Sequence, residues 1–267
     1  MARQIIKTPL DVDPRLQSLG EPTLGRMLTW EQAQAEACLT DVFGYHALQA
    51  GLFGIDALAG NRMPHRWRAR LEFDGVRRQA DLDFDSRAWP WPAESLDLVV
   101  LPHTLERSAD AHACLREVHR VLIAEGRVLI TGINPWSLWG WRLRRSQRQS
   151  VQMPPDGWPM QPVAPHRLRD WLHLLGFEIQ EQRYAGWTPT WSGERWVQRF
   201  GWMESFGRRW CPVLGGVYLI LATKRVPGSH LLPGKAWRKV PSPAALVAPA
   251  TRLRESAGTS TSPESLS

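Results

Sequence analysis

The clearest hydrophobic pattern in the chain lies between residues 96 and 133. Residues 96–101, LDLVVL, form a nearly continuous apolar run, which is typical of a strand buried on both faces of a parallel sheet. From Asp110 to Ile123, apolar residues recur at three- and four-residue spacing, which predicts an amphipathic helix with Gly126 as its C-cap. A second apolar run starts at Gly126. This order of strand, helix and strand predicts a crossover unit of the kind that builds parallel sheets.

Shorter patterns extend this arrangement on both sides of the central unit. Helices are predicted from Thr29 to about residue 40, with Thr29 as N-cap and Gln32 in the capping-box position, and again over residues 166–176. A glycine turn and a weak helix are expected between the first two strands. Short apolar or alternating runs predict five further strands, at residues 45–51, 66–75, 79–84, 177–186 and 217–225.

The pattern also divides the chain into segments. Residues 1–25 are rich in proline and mixed polar residues and predict an irregular lead-in. Residues 26–226 then form one domain, with insertions at about 134–165 and 186–215 where no steady period is visible. Residues 227–267 are rich in Pro, Ser, Thr and Ala, and we expect a disordered tail because they cannot bury enough apolar surface.

Bulk composition narrows the class of protein. A hydrophobic fraction of 43% and a charged fraction of 22% are ordinary for a globular protein, and no apolar run is long enough to span a membrane. The 3 cysteines lie far apart and the 8 histidines show no ligand spacing, so neither a disulfide framework nor a metal site is expected. A reducing cytoplasm is the simplest compartment.

Charge and tryptophan content are the unusual features. The net charge is +7, and 15 tryptophans are present. Residues 136–145, WSLWGWRLRR, place tryptophan beside arginine, a combination that suits anionic membrane headgroups or stacking on nucleic-acid bases. Packing of the insertion against the domain edge and a lid over a substrate pocket explain the same residues, and the sequence leaves these alternatives open.

Three motifs in the central unit carry a resemblance to a known family. They are WPWPAESLD at 89–97, HTLE at 103–106 and EVHRVLIAEG at 117–126. In type and spacing they resemble the central part of the type-11 class I methyltransferases, which use S-adenosylmethionine. The pairing of PHTLE with GINPWSLWG is similar to a bacterial subgroup of methyltransferase-like proteins. The resemblance implies a Rossmann-like, doubly wound, mostly parallel seven-stranded α/β sheet, with the cofactor at the carboxyl ends of the strands.

The resemblance also implies where the cofactor binds. Gly51 and Gly54 occupy the place of the family's glycine loop after the first strand, although residues 45–54 are less rich in glycine than that loop usually is. Asp83 or Asp85 matches the acid that contacts the adenine amino group, and His103 would line the pocket. For the acid that holds the ribose, Glu72 and Asp74 are the candidates by position. No catalytic residue is identified, since methyl transfer can require only alignment of a nucleophile.

The favoured function is therefore S-adenosylmethionine-dependent methyl transfer to an unidentified, small-molecule acceptor. The alternative is a non-catalytic methyltransferase-like protein that binds a partner, nucleic acid or an anionic membrane surface through its Trp/Arg-rich region. Two perturbations follow from this interpretation. Gly51→Val should abolish cofactor binding and leave the fold intact, and deletion of residues 228–267 should leave the melting temperature nearly unchanged.

Overall fold

The computed structural model describes residues 16, 19–51, 54–71, 82–149, 160–189 and 201–226. All of them lie in the first of two units, Met1–Pro227 and Gly228–Ser267. The predicted tail at 227–267 lies outside the described residues, so its predicted disorder stays a prediction.

Seven strands form a single sheet, at or near the positions that the apolar runs predict. They are β1 His46–Ala50, β2 His65–Leu71, β3 Leu82–Phe84, β4 Leu96–Pro102, β5 Leu122–Ile133, β6 Phe177–Ala185 and β7 Val217–Lys224.

The sheet has the order β3-β2-β1-β4-β5-β7-β6. The first five strands run parallel to one another, and β7 runs antiparallel between β5 and β6. The predicted α/β class, with a doubly wound and mostly parallel seven-stranded sheet, is confirmed. Strand order reverses between β1 and β4, which makes this pair the topological switch point where open α/β sheets bind their ligands.

Helices cover both faces of the sheet. The helices of the described residues are α1 Glu21–Leu39, α2 Ala111–Val121, α3 Leu138–Gln149, α4 Pro165–Leu174 and α5 Gly201–Trp210, with a 3₁₀ turn at Pro212–Leu214. On one face, an apolar cluster contains side chains from α1 and α3 and inward positions of β1, β4, β5 and β7. On the opposite face, a second cluster contains side chains from α2 and α4 and the alternate positions of the same strands.

The predicted start of the first helix is wrong. Helix α1 begins at Glu21, within the predicted irregular lead-in, and it carries Pro22 in its first turn, where proline is tolerated. Thr29 lies inside the helix, and its hydroxyl donates to the Gly25 carbonyl oxygen at 2.8 Å. The Gln32 amide instead donates to Glu36 and to the Asp56 carbonyl oxygen. Threonine and glutamine occur both at helix N-termini and at interior helix positions where they form side-chain hydrogen bonds of this kind. The local sequence alone therefore does not distinguish a cap from an interior position.

The predicted C-cap of the central helix is also wrong. Asp110 is the N-cap of α2, since its carboxylate accepts from the Ala113 N–H at 2.9 Å. The helix ends at Val121, however, because Leu122 pairs with Leu96 as the first residue of β5. Gly126 therefore lies inside the strand.

The predicted insertions contain two helices, α3 and α5. In α3, the buried apolar residues are Trp139 and Leu143. Two apolar positions among several arginines are too few to show the hydrophobic period of a helix in the sequence. The weak helix expected between β1 and β2 is absent from the described residues 54–64, which form turns and bends.

Candidate functional site

Two segments meet at the switch point of the sheet. Gly51 follows β1 directly, and His103 follows β4, so both lie at the carboxyl edge of the parallel strands. Each has a positive φ, +118° for Gly51 and 52° for His103. A histidine in this conformation is uncommon and costs free energy, so surrounding contacts must hold it there.

The chain at the end of β4 lies so close to Gly51 that no side chain fits there. A Cβ atom at this position would overlap the Thr104 hydroxyl and would lie 2.9 Å from the Pro102 carbonyl oxygen. The Thr104 hydroxyl in turn donates to the Ala50 carbonyl oxygen. The glycine thus allows β1 and β4 to end in direct contact, and it leaves the end of β1 without a side chain.

His103 is held between two buried carboxylates. Its Nε2 lies 2.8 Å from Glu31 Oε1, and its Nδ1 lies 3.1 Å from Glu106 Oε2. The side chains of the triad are 0%, 0% and 1% exposed for His103, Glu31 and Glu106. Glu106 Oε1 also accepts from the Ile133 N–H at the end of β5. Because Glu31 belongs to α1, the triad joins the first helix to the carboxyl edge of the sheet.

The triad contains two carboxyl groups and one imidazole. Burial by itself lowers the pKa of His103, but the charges of Glu31 and Glu106 and their hydrogen bonds outweigh it and raise the pKa well above its usual value. The triad thus has one more acidic than basic side chain. Within the described part of the chain, Glu31 Oε2 is buried and has no hydrogen-bond partner. An acceptor without a donor is costly in a protein interior, so this oxygen suits a polar or cationic group of a ligand.

The two candidate acids on β3 have different environments. Asp83 pairs across the strands with Arg70 of β2, at 2.6 Å between Oδ2 and Nη2, and its side chain is half exposed. Asp85 follows the last residue of β3, at the carboxyl edge, where it accepts from the Arg87 N–H at 2.8 Å and lies 3.5 Å from the Arg87 Nε. The two acids therefore differ in position, with Asp83 paired to a neighbouring strand and Asp85 paired to the loop at the carboxyl edge.

The connection between β1 and β2 is fixed by a buried glutamine. The Gln49 side chain donates to the Ile55 carbonyl oxygen at 2.8 Å and accepts from the Ala57 N–H at 2.9 Å. Gly54 lies at the start of this turn and is partly buried. The ribose candidates at positions 72 and 74 lie outside the described residues, so the structure does not test them.

The tryptophan-proline motif is anchored by an ion pair. Glu117 and Arg120, three residues apart on α2, form a 2.8 Å ion pair. The Arg120 guanidinium also donates to the carbonyl oxygens of Trp89 and Trp91, and the Trp89 N–H donates to Glu117. This network fixes the segment that follows Asp85, and the hydrogen bond to Arg120 lowers the pKa of Glu117.

Sequence reasoning missed Glu31 and the role of Glu106. A signal was present for Glu31, because it lies on the buried stripe of α1 between Leu28 and Ala35, where a carboxylate requires a partner. Its partner, His103, is 72 residues away along the chain.

In the described ranges, no group of three or more His, Cys, Asp or Glu residues has a geometry that could hold a metal ion. No described helix has the length and apolar character needed to cross a bilayer.

The fold just described is similar to that of S-adenosylmethionine-dependent methyltransferases. Residues 47–130 match the family model described as a methyltransferase domain. The uncharacterized protein YafS of Escherichia coli K12 is 28% identical over 216 residues, which cover 79% of this chain and 81% of the relative. The resemblance of the central segment to the type-11 methyltransferases is confirmed by the family-model match.

Solved structures agree on the fold. A methyltransferase of Archaeoglobus fulgidus has a TM-score of 0.50 at 16% identity, covering 73% of this chain and 94% of its own. A Thermotoga maritima S-adenosylmethionine-dependent methyltransferase also has a TM-score of 0.50, at 14% identity, covering 78% of this chain and 100% of its own.

The residues at the carboxyl edge fit the cofactor that the family uses. S-adenosylmethionine carries a sulfonium and an ammonium group, both cationic, and its adenine amino group is a hydrogen-bond donor. The edge offers hydrogen-bond acceptors that suit these groups, namely the Asp85 carboxylate and the unpartnered Glu31 oxygen of the triad. Gly51 leaves room for close backbone approach beside them.

Proposed function

We propose that the chain transfers a methyl group from S-adenosylmethionine to a small-molecule acceptor in the crevice between β1 and β4. The observation that carries this proposal is the meeting of Gly51 and His103 at the switch point, inside the segment that matches the methyltransferase family. When bound, the cofactor supplies an electrophilic methyl group on a sulfonium. Asp85 would hold its adenine amino group, and Gly51 and Gly54 would line the turn beside it.

The triad would act on charge rather than as a simple proton acceptor. Both ring nitrogens of His103 are engaged by Glu31 and Glu106, so the ring has no free nitrogen that could take a proton from the acceptor. The two carboxyl groups of the triad favour a cation at the crevice, and the sulfonium is a cation that becomes a neutral thioether after transfer. Glu31 and His103 are therefore positioning residues in this proposal, and alignment of the acceptor accounts for the chemistry.

The non-catalytic alternative is not favoured, because the family match includes the segments that form the ligand-binding edge. A nucleic acid or an anionic membrane surface remains a candidate partner beside the small-molecule acceptor. A cytoplasmic location is part of the proposal and is supported by the free state of Cys38, Cys114 and Cys211, which form no disulfide.

Calorimetric titration of the full chain with S-adenosylmethionine and S-adenosylhomocysteine tests the proposal. We expect dissociation constants near micromolar, about −8 kcal/mol of binding free energy. Asp85→Asn should weaken binding about tenfold, since it removes the charged acceptor at the edge. Asp83→Asn is the matched control and should leave the affinity unchanged, because that carboxylate is committed to Arg70. Absence of binding up to about 1 mM would refute the proposal.

A further inference from the structure

Helix α5 presents an aromatic stripe to solvent. Trp202, Phe206 and Trp210 follow one another at four-residue spacing, which places them on one side of the helix. They are 61%, 53% and 68% exposed. Their rings contact one another in sequence, with centres 6.1 and 6.2 Å apart. Three large exposed aromatic side chains in one row form a patch that a protein surface rarely carries without a binding role.

The opposite side of α5 packs against the rest of the domain, so the aromatic stripe faces solvent. The Trp187 ring packs directly on Gly207, where a Cβ atom would overlap it. The Glu204 carboxylate accepts from the N–H groups of Gly186 and Trp187, at 3.1 and 3.2 Å. The Trp187 indole N–H donates to the Cys211 carbonyl oxygen at 2.9 Å.

Neighbouring segments add further exposed apolar residues. The Asn134 side-chain amide donates to the Val213 carbonyl oxygen at 2.6 Å, and its oxygen accepts from the Trp136 N–H at 3.1 Å. Asn134 thus ties the start of α3 to the 3₁₀ turn that follows α5. We call the combined surface the aromatic face; its exposed members are Trp136, Leu138, Trp141, Trp202, Phe206, Trp210, Val213 and Leu214.

Helix α3 brings positive charge to one side of the aromatic face. Helix α3 contains Arg142, Arg144, Arg145 and Arg148 and no acidic residue. The Arg145 guanidinium carbon lies 5.7 Å from the centre of the Trp141 ring. Arginine in this position keeps its charge at the rim of an apolar surface while its methylene groups lie along that surface. The chain as a whole carries a net charge of +7, which strengthens attraction to an anionic surface.

We propose that the aromatic face docks the protein on an anionic membrane surface. Tryptophan rings are favoured at the level of the lipid headgroups, and aliphatic side chains beside them can enter the acyl boundary. The presence of Leu138, Val213 and Leu214 among the tryptophans favours lipid over nucleic acid, because aliphatic groups contribute nothing to base stacking. The arginines of α3 match anionic headgroups in charge.

Docking would also orient the ligand-binding edge. Helix α3 follows the end of β5, and α5 lies between the end of β6 and the start of β7. These strand ends are on the same edge as Gly51 and His103, because Ala185 and Ile133 both pair with Val217. The proposal goes beyond methyl transfer and does not depend on it, since docking needs no bound cofactor.

Flotation of the full chain with lipid vesicles tests the proposal. The probe is phosphatidylcholine with about 30% phosphatidylglycerol, compared with phosphatidylcholine alone, at low and high salt. We expect binding to the anionic vesicles only, weakened by salt. The variant carrying Trp202→Ser, Phe206→Ser and Trp210→Ser should bind at least about tenfold more weakly. Arg145→Gln and Arg148→Gln should each reduce binding by roughly fivefold.

A matched control removes exposed apolar residues elsewhere. Phe43 and Leu174 are 72% and 79% exposed outside the aromatic face, so Phe43→Ser with Leu174→Ser should change binding by less than about twofold. Unchanged cofactor affinity in every variant shows that the fold is kept, and it separates this proposal from the methyltransferase proposal. The docking proposal is overturned if anionic vesicles are not bound at low salt, if neutral vesicles bind equally, or if the triple variant binds normally. Binding of an oligonucleotide without vesicle binding would favour nucleic acid instead.

Discussion

Replacing His103 by glutamine should destabilise the fold strongly, because it leaves two buried carboxylates without their cation. Glu31 and Glu106 approach the ring at 2.8 and 3.1 Å, and none of the three side chains is more than 1% exposed. Breaking a buried ion pair by removing one partner typically costs about 3–5 kcal/mol. For a domain of this size, each kcal/mol lowers the melting temperature by roughly 2–4 °C, so His103→Gln should lower it by about 6–20 °C.

Urea unfolding at pH 7 measures this loss, with the exposed His173 of α4 as the matched control. His173→Gln should change the free energy of unfolding by less than about 0.5 kcal/mol. A second variant separates lost charge compensation from lost packing. If compensation is the cause, Glu31→Gln combined with His103→Gln should be more stable than His103→Gln alone, since the buried charge is then removed. A loss below about 1 kcal/mol for His103→Gln would refute the assignment of the triad as a buried ion network.

Four further predictions follow from the same residues and their surroundings. The pKa of His103 is higher in the folded than in the unfolded state, so the stability that this group contributes is complete below pH 6.5 and is lost as pH rises through the raised value. The urea midpoint of the wild type should therefore fall as pH rises over that alkaline range. This pH dependence of the midpoint should be absent in His103→Gln. Glu31→Gln should weaken binding of S-adenosylmethionine several-fold more than binding of S-adenosylhomocysteine, measured by calorimetry, because only the former carries the sulfonium charge; equal effects would contradict the electrostatic role. Gly51→Ala should lower the free energy of unfolding by about 1–3 kcal/mol and should also lower cofactor affinity. Gly25→Ala is the control, because this glycine lies in a helix with open space around it, and it should not destabilise the fold in the same thermal scan. Deletion of residues 228–267 should change the melting temperature by less than about 5 °C, and a larger drop in a calorimetric scan would show that this segment docks on the domain.

The Gly51 prediction corrects the expectation formed from the sequence. A valine at this position was expected to block the cofactor and leave the fold intact. The structure places the Thr104 hydroxyl and the Pro102 carbonyl oxygen against the glycine, so any side chain there must displace the end of β4. The sequence offered no sign of this contact, because the two segments lie more than 50 residues apart and meet only through the pairing of β1 with β4.

Sequence patterns predicted the sheet well for a physical reason. Strands buried on both faces, such as β4 and β7, consist of apolar residues whatever their neighbours are, so their composition alone identifies them. Helix ends were predicted less well, because competing tertiary contacts decide them. Leu122 leaves α2 to pair with Leu96, and Thr29 remains helical because α1 starts eight residues earlier.

The candidate site shows the same contrast between local patterns and tertiary contacts. The resemblance to the family proposes Gly51, Gly54, Asp83 or Asp85, and His103 as cofactor-binding candidates, and the structure brings Gly51 and His103 to the ends of β1 and β4 at the switch point. Asp83 and Asp85 could not be distinguished from the sequence, since both are acids near the end of one short strand. Their difference arises from Arg70, which lies on the neighbouring strand and forms an ion pair with Asp83.

Glu31 connects the site to the rest of the domain in a way that bears on its chemistry. Helix α1 buries Leu24, Met27, Leu28 and Ala35 against the sheet, and this packing brings the Glu31 carboxylate to His103. The triad sets two carboxyl groups against one imidazole. A cationic ligand at the switch point would balance the second carboxyl group, and a neutral product would not. In the proposed reaction, the triad would therefore favour binding of the methyl donor over retention of its demethylated product.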